Sequence, residues 1–388
     1  MINFEFISPT KIYFGENQEK NVGKIIKSYG YKNILFHFGT SSIFKSGLYD
    51  IVVNSLKENG INFIPLGGVT PNPKISLVRE GVKIAKENNV DFILAVGGGS
   101  VIDSAKAISH GAKVDFDPWL LSSHEEKPVN CLPVGVILTL SAAGSELSSS
   151  CVISNTDINV KNGFNTDLNR PLFAIMNPKL TYSVSKYQTA CGIVDILMHT
   201  LERYFNDEQN TYFADEMAFG IIKSTIKSGL IAYDKPDDYD ARASLMIASS
   251  FSHNGLTGLG NKFYFTVHKL EHILSGLFDE IAHGAGLSIL FPAWAKYTKN
   301  LFYEKWINLG KTLNIESSSD DELIENTILY FENLFKQINM PTRLEEVNVF
   351  ENDFENFALK ATKNNTTTII GVKPLDKDDV INILYLAK

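Results

Sequence analysis

The first half of the chain alternates short apolar runs with stretches of helical periodicity. Five apolar runs have the length of buried strands: 32–39, 62–68, 91–99, 129–141 and 171–178. Residues 47–60 and 73–89 repeat apolar positions every three or four residues, which predicts helices. Strands that alternate with helices predict a parallel, doubly wound sheet, so we expect an α/β domain over residues 1–178.

The pattern changes after Pro178. Long segments with helical periodicity follow one another: 185–207, 211–233, 241–256, 265–280 and 321–338. Few β-branched runs interrupt them, so we predict an all-helical domain over residues 179–388. Because 388 residues exceed one ordinary core and no low-complexity linker separates the halves, we expect two closely packed domains.

Composition narrows the classes of function. Apolar residues make up 44% and charged residues 21% of the chain, as in globular proteins. A formal net charge of −8 and the lack of a basic run argue against a nucleic-acid surface. No apolar run reaches the roughly 18 residues of a membrane span, and the N-terminus lacks a signal-peptide pattern. Three widely separated cysteines indicate reduced thiols, so we expect a cytoplasmic protein without membrane or nucleic-acid partners.

A glycine-rich turn follows the third predicted strand and opens a predicted helix. It consists of Gly97, Gly98, Gly99 and Ser100. Without Cβ atoms the backbone can approach a phosphate, and the N–H groups and dipole of the following helix attract an anion. Ser100 adds a hydroxyl donor. Because the sequence is not the G-x-G-x-x-G fingerprint, an ordinary strand-to-helix turn is the alternative.

A second turn of small residues follows the first predicted strand. It contains Gly39, Thr40, Ser41 and Ser42, with Lys45 nearby. In dinucleotide-binding folds, an acidic residue after a strand bonds the adenosine ribose of NAD. This turn has no acidic residue, and its hydroxyl groups suit a 2′-phosphate better. The pattern therefore favours NADP over NAD, with an ordinary polar turn as the alternative.

Candidate metal ligands occur as spaced pairs in the helical half. Asp195 and His199 are four residues apart, His268 and His272 repeat this spacing, and His283 follows shortly afterwards. Residues four apart lie on one helix face. A carboxylate with three imidazoles suits Fe²⁺ or Zn²⁺, and the lack of a thiolate argues against a structural zinc site. Core or surface histidines are the alternative, which we adopt for the remaining four: His37, His110, His124 and His253.

Several motifs follow one another in a specific order. They are GVTPNP at 68–73, GGGSVIDSAKAI at 97–108, TLSAAGSE at 139–146, D-x-x-x-H at 195–199 and HKLEH…HGAGLSILFPAW from 268. Together they resemble the iron-containing (group III) alcohol dehydrogenases, especially their butanol dehydrogenase branch. The resemblance covers nearly the whole chain. It implies a Rossmann-like N-terminal domain, a helical C-terminal domain, a homodimer, and a cofactor and divalent metal in the cleft between the domains.

The resemblance also implies which residues form each site. The implied metal ligands are Asp195, His199, His268 and His283. The implied cofactor contacts are Gly39, Ser41, Ser42, Gly97 to Ser100, Asp103, Thr139, Ser145 and Lys161. The interval between the last two histidine ligands is one residue longer than usual, which leaves His272 as an alternative to His268. Phe263 and Tyr264 stand where many relatives carry Asp-Trp, in a segment that we expect to line the substrate pocket.

These features predict a metal-dependent, NADP(H)-preferring alcohol dehydrogenase or aldehyde reductase acting on substrates such as butanol or butyraldehyde. The metal would polarise the substrate oxygen while the nicotinamide transfers hydride. We assign proton relay towards solvent to His272, with a hydrogen bond or packing as the alternative. Two other functions stay open. One is a dehydroquinate-synthase-like lyase, against which the apolar segment 263–265 argues, and the other is a non-catalytic relative that binds metal or nucleotide.

Overall fold

The computed structural model describes residues 1–208 and 210–388, which form two compact units. The sheet unit comprises residues 7–184 and 236–250. The helical unit comprises residues 1–6, 185–235 and 251–388. None of the described helices is both long and apolar enough to cross a membrane.

The described residues form eight strands. They are β1 (Lys11–Phe14), β2 (Asn33–Phe38), β3 (Asn62–Leu66), β4 (Phe92–Gly97), β5 (Val134–Leu138), β6 (Ser150–Asn155), β7 (Val160–Asn165) and β8 (Phe173–Met176). Six of them form one parallel sheet in the order β1-β8-β5-β4-β2-β3, and β6 and β7 form an antiparallel hairpin. The parallel sheet was predicted, whereas β1 and the hairpin were not.

Fifteen α-helices complete the described chain. They are α1 (Val22–Ser28), α2 (Ser42–Lys45), α3 (Leu48–Glu58), α4 (Ile75–Glu87), α5 (Gly99–Gly111), α6 (Trp119–Ser122), α7 (Lys186–Tyr204), α8 (Tyr212–Asp234), α9 (Tyr239–His253), α10 (Thr266–Leu277), α11 (His283–Thr298), α12 (Tyr303–Thr312), α13 (Asp320–Gln337), α14 (Glu351–Ala361) and α15 (Lys377–Leu386). Short 3₁₀ helices lie at Gln18–Asn21, Asp167–Asn169, Pro178–Thr181, Leu256–Gly258, Lys299–Phe302 and Leu344–Val347. Beyond residue 178 the described chain is helical, apart from one bridge between Ile369 and Leu375, which confirms the predicted fold class.

Both faces of the parallel sheet are buried, which explains its continuous apolar strands. Along β2, Ile34 and Phe36 pack into one core with α1 and α3, while Leu35 packs into a second core with α4 and α5. Successive side chains of a strand point to opposite faces, so each strand serves both cores. The helices therefore form a layer on each side of the sheet.

The strand order reverses between β2 and β4. The chain moves outward from β2 to β3 and then returns to place β4 on the other side of β2. Phe38 pairs with Val96, and Gly97 pairs with Leu138, so these strands end at the same edge. In open α/β sheets, ligands bind outside the carboxyl ends of the strands at such a reversal. The two predicted cofactor turns follow β2 and β4 at this edge.

Residues 236–250 group with the sheet unit, although the sequence pattern assigns them to the helical half. Met246 is fully buried in one of the two sheet cores. The hydroxyl of Ser249 donates to the carbonyl of Ala142 at 3.0 Å, and that of Ser250 donates to Glu146 at 2.5 Å. These tertiary contacts, which helical periodicity cannot reveal, place most of α9 against the β5–β6 connection.

In the helical unit, α7 packs against α8, α10 and α11. Ser185 caps α7, since its side chain accepts a hydrogen bond from the N–H of Gln188 at 3.2 Å. Almost every residue of α7 after Gln188 is buried, so its polar side chains face the interior of the unit. The packing of α7, α10 and α11 determines where these polar groups meet.

Candidate functional site

The four predicted metal ligands lie together in the helical unit. Asp195 and His199 come from α7, His268 comes from α10, and His283 begins α11. The Oδ1 atom of Asp195 lies 3.3 Å from Nδ1 of His199 and 3.5 Å from Nε2 of His268. The same oxygen lies 3.7 Å from Nε2 of His283. One carboxylate oxygen and three imidazole nitrogens from three helices thus converge.

The atoms that face this point fit a divalent cation. Asp195, His199 and His268 are at most 6% exposed. Among the described residues, Asp195 Oδ1, His199 Nδ1 and His268 Nε2 have no hydrogen-bond partner. A buried polar group left without a partner costs about 1–3 kcal/mol. A cation bound by carboxylate oxygen and imidazole nitrogen would satisfy all three atoms, and this donor set suits Fe²⁺ or Zn²⁺.

The imidazoles differ in their protonation. Burial, reinforced by the neighbouring His253 and His268, holds the pKa of His199 well below its ordinary value. Burial also lowers the pKa of His268, but the carboxylates of Glu202 and Asp195 outweigh it and raise that pKa to about 9. Because metals bind neutral imidazole, His199 is already in the ligating form. His268 must lose a proton to bind the metal.

A buried glutamate, Glu202, orients His268. Its carboxylate accepts the Nδ1–H of His268, the backbone N–H of Val267 at 2.6 Å and the backbone N–H of His268 at 3.1 Å. A carboxylate on Nδ1 directs Nε2 towards the metal side and makes it more basic. Glu202 was not predicted from the sequence. Its position three residues after His199 on the same helix face was an available signal.

Glu271 has the same relation to His283. This fully buried carboxylate accepts the Nδ1–H of His283, whose Nε2 points to Asp195. Glu271 lies between His268 and His272 on α10, and its side chain is turned inward rather than towards water. The helical unit therefore contains two carboxylate–imidazole pairs that face one aspartate.

His272 lies beside His283 and is partly exposed. Its ring centroid is 5.7 Å from that of His283, and it groups with Glu271 and His283. The group of candidate ligands that contains Asp195 holds His199 and His268, for the residues that the structure describes. His283 and His272 belong to the second group, from which Nε2 of His283 reaches the Asp195 oxygen at 3.7 Å. Of the two alternatives for the third ligand, the geometry favours His268.

Three further residues surround His199 that sequence reasoning did not assign to the site. The ring of His253 lies 3.9 Å from that of His199, measured between centroids. Arg203 donates to the carbonyl of His199 at 2.8 Å and bonds Nδ1 of His253 at 3.0 Å. Phe265 precedes α10 with a left-handed backbone (φ 50°), and its ring meets that of His268 edge-on. The contact of His253 with His199 joins α9 to α7, so no sequence spacing indicated it.

The glycine-rich turn lies at the carboxyl edge of the sheet. β4 ends at Gly97, α5 begins at Gly99, and Gly98 between them is extended. No side chain of the described residues caps this helix, which leaves its N-terminus to backbone and ligand partners. A Cβ on Gly99 would lie 2.9 Å from the Cβ of Ala143, so glycine also permits the close approach of segment 139–146.

The other turn residues lie at the same edge. Gly39 directly follows β2, and its carbonyl accepts the N–H of Gly68 at 2.8 Å. Thr40, Ser41 and Ser42 are exposed. Thr139 directly follows β5, and its N–H donates to the carbonyl of Gly97 at 3.0 Å. The reversal of strand order therefore brings these predicted cofactor residues together.

Of the remaining predicted cofactor residues, Ser145 and Lys161 are buried and Asp103 is partly buried. Asp103 accepts the hydroxyl of Ser145 at 2.5 Å and the N–H of Val152 at 3.0 Å. The hydroxyl of Ser145 also accepts a hydrogen bond from buried Lys106, which leaves it no second proton for a cofactor. Lys161 is buried on β7 opposite Ser154. Lys106 is a residue that the sequence analysis missed.

The comparisons with known proteins agree with this arrangement. The family model "Iron-containing alcohol dehydrogenase" matches residues 9–178, and the model for the C-terminal part of the Fe-containing alcohol dehydrogenase family matches residues 189–387. The chain belongs to the iron-containing alcohol dehydrogenase family. It is 41% identical to NADH-dependent butanol dehydrogenase A of Clostridium acetobutylicum over 99% of both chains. It is 33% identical to NADPH-dependent aldehyde reductase YqhD of Escherichia coli over 89% of both.

A solved structure shows the same fold. The NADH-dependent butanol dehydrogenase A of Thermotoga maritima superposes with a TM-score of 0.96 at 36% identity, covering 100% of this chain and 99% of that one. As a member of this family, our chain is thus a metal-dependent, nicotinamide-linked oxidoreductase of alcohols and aldehydes. The comparisons favour this function over the dehydroquinate-synthase-like alternative.

Gly284 lets α11 of the dehydrogenase approach α7 closely enough for His283 to reach Asp195. A Cβ at this position would lie 2.5 Å from Cα and 2.6 Å from the carbonyl oxygen of Cys191, and these backbone atoms cannot rotate away. We expect Gly284→Ala to lower the free energy of unfolding by about 1–3 kcal/mol and to reduce the bound metal. Denaturant titration and metal analysis measure both quantities.

The matched control is Gly220→Ala on α8 of the same unit. A Cβ there meets nothing within 4 Å, and helix propensity favours alanine over glycine. This control is expected to keep its metal and to be at least as stable as the wild type. Equal stability and metal content of the two variants would contradict the packing argument.

Proposed function

We propose that this chain reduces butyraldehyde and related short aliphatic aldehydes with NADPH, and oxidises the corresponding primary alcohols in the reverse direction. The observation that supports the proposal is the convergence of one Asp195 oxygen with imidazole nitrogens from three helices. The substrate class follows the relatives named butanol dehydrogenase and aldehyde reductase. Asp195, His199, His268 and His283 are the proposed ligands of a single Fe²⁺ or Zn²⁺.

When bound, the divalent ion polarises the substrate oxygen and the nicotinamide exchanges hydride with the carbon next to it. The chain supplies orientation and proton transfer. Glu202 and Glu271 hold the Nδ1 protons of their histidines, so that each Nε2 is available on the side of Asp195. Reduction of an aldehyde also consumes one proton, and we assign its relay from solvent to the partly exposed His272.

The coenzyme preference rests on the turn after β2. Thr40 is the first exposed side chain beyond this strand, and no carboxylate stands in the turn to bond a ribose 2′-hydroxyl. Hydroxyl groups and the nearby Lys45 suit a 2′-phosphate, which supports NADPH. The names of the relatives include both coenzymes. Four are named as NADH-dependent butanol dehydrogenases, two of them as probable, while one is an NADPH-dependent aldehyde reductase and one an NADP-dependent alcohol dehydrogenase.

Thr40→Asp is expected to reverse this preference. A carboxylate at the tip of β2 can accept the 2′-hydroxyl of NADH and repels the 2′-phosphate of NADPH. We expect the ratio of kcat/KM for NADPH over NADH to fall about a hundredfold, with kcat for the preferred coenzyme little changed. Thr40→Asn, which has nearly the same shape without the charge, is the matched control. If Thr40→Asp leaves the ratio of kcat/KM for NADPH over NADH unchanged, this turn does not bind the adenosine ribose of the coenzyme.

The function itself is tested on protein purified without oxygen. Metal analysis should find one equivalent of a divalent transition metal per chain, and butyraldehyde should cause loss of the nicotinamide absorbance of NADPH. Removal of the metal with a chelator should abolish the reaction, and added Fe²⁺ or Zn²⁺ should restore it. Metal-loaded protein that binds NADPH but turns over no alcohol or aldehyde would support the non-catalytic alternative instead.

Two sequence predictions remain to be tested. The resemblance to the family implies a homodimer, which sedimentation or light scattering of the purified protein would measure. The reduced cysteines indicate a cytoplasmic location, which fractionation of the source cells would test. The structure describes all three cysteines as free thiols.

A further inference from the structure

A buried lysine lies behind the glycine-rich turn, in the sheet unit. The side chain of Lys106 is fully buried on α5, seven residues after this helix begins. Its ammonium group donates to the carbonyls of Ser145 at 2.7 Å, Ser150 at 2.8 Å and Ser148 at 3.2 Å. It also donates to the hydroxyl of Ser145 at 2.9 Å. One buried cation thus ties α5 to the segment 145–150.

The same hydroxyl connects the lysine to a carboxylate. Ser145 donates to Asp103 at 2.5 Å, so Asp103 and Lys106 are bridged by one side chain. Burial raises the pKa of Asp103 and lowers that of Lys106, and each charge opposes the effect of burial on the other. Removing one partner of a buried charge pair leaves the other uncompensated. Lys106 is therefore the main cation that balances Asp103, with a smaller contribution from Lys161.

This pair lies close enough to the N-terminus of α5 to affect how strongly that terminus attracts an anion. Asp103 lies four residues after Gly99, at about 6 Å along the helix axis from its start. A negative charge there opposes the attraction that the helix N-terminus exerts on a phosphate. Lys106 cancels this charge from the interior, where solvent and salt screen it little. The N-terminus of α5, which follows Gly98, therefore keeps its affinity for an anion.

We propose that Lys106 is a positioning residue for the nucleotide, which neutralises Asp103 and fixes segment 145–150, so that the glycine-rich turn accepts a diphosphate. This inference rests on the proposed function, because it assumes that the turn binds the diphosphate of a nicotinamide dinucleotide. It replaces the predicted direct contact of Asp103 and Ser145 with the cofactor by an indirect electrostatic role.

The test measures binding of NADPH and of ADP, a diphosphate probe without nicotinamide, by calorimetry at low salt. Lys106→Met is expected to weaken both about tenfold, because Asp103 loses its main compensating cation. Asp103→Asn alone is expected to tighten both several-fold, because Lys106 then acts unopposed. The double variant should return to within about threefold of the wild type.

A purely structural role predicts another result. If Lys106 only packs segment 145–150, both single variants should weaken nucleotide binding to the same extent, and the double variant should bind no more tightly than either. That result would overturn the proposal. Circular dichroism and thermal unfolding show whether each variant is folded. If Lys106→Met does not fold, Asp103→Asn is compared with the double variant, and equal affinities would overturn the proposal. Wild-type protein that binds neither NADPH, NADH nor ADP would instead refute the nucleotide site of the proposed function.

Discussion

Asp195→Asn is expected to yield a folded protein that retains no divalent metal and reduces butyraldehyde about a thousandfold more slowly. The Oδ1 atom of Asp195 is the point on which three imidazole nitrogens converge at 3.3–3.7 Å. Without this carboxylate, a doubly charged ion would face neutral rings alone, and the Lewis-acid stabilisation of several kcal/mol would be lost. Metal analysis and kcat/KM measure the two effects.

The stability of this variant gives a second readout. Metal-free wild-type protein buries a carboxylate oxygen without a hydrogen-bond partner among the described residues, so the amide variant should be no less stable without metal. Added Fe²⁺ or Zn²⁺ should raise the Tm of the wild type and leave that of the variant unchanged. Asp215→Asn on α8, which loses its ion pair with Lys305, is the control and should retain metal. A variant at Asp195 with one equivalent of metal would contradict the site.

Glu202→Gln should weaken metal binding about 10–100-fold. Glu202 accepts hydrogen bonds from two backbone N–H groups and from Nδ1 of His268. A glutamine amide must turn its own N–H₂ towards one of these donors. If the amide donates to Nδ1 instead, the proton of His268 moves to Nε2, the nitrogen that faces Asp195. Metal affinity, measured by competition with a chromophoric chelator, reports this change of tautomer.

Glu332→Gln is the control for Glu202→Gln, and it separates a specific effect on metal affinity from a general loss of stability. Glu332 is also buried and pairs with Lys296, Lys336 and Arg343. These cations hold the pKa of Glu332 at about 2 despite its burial. The substitution should therefore lower the free energy of unfolding while metal affinity stays at the wild-type value. A loss of metal in both variants, in proportion to their lost stability, would argue against a specific role for Glu202.

The sequence allowed prediction of the features that depend on local periodicity. The alternation of apolar runs and helical segments predicted the parallel sheet because its strands are buried on both faces. The i,i+4 spacing of Asp195 and His199 predicted a shared helix face, and the structure brings His268 and His283 to it. Strand β1 was missed because it has only four residues at the edge of the sheet.

Features that depend on tertiary packing could not be predicted in this way. Glu202 and Lys106 are charged residues on helices, where a solvated face is the ordinary expectation, yet they are 4% and 0% exposed. Their importance comes from the partners that other elements bring to them. His253 was interpreted as an ordinary residue for the same reason, because its contact with His199 joins α9 to α7.

The insertion of residues 185–235 between the two segments of the sheet unit affects how the protein is made. Met246 and Ser250 belong to the sheet unit, but they leave the ribosome only after most of α7 and α8 has been synthesised. Until then the nascent sheet lacks part of its apolar core, and the buried Glu146 lacks the hydroxyl of Ser250. A fragment cut at residue 178 would carry the same defects permanently. We therefore expect the first half to aggregate when expressed alone, and to become soluble only with residues 236–250 supplied in the same chain.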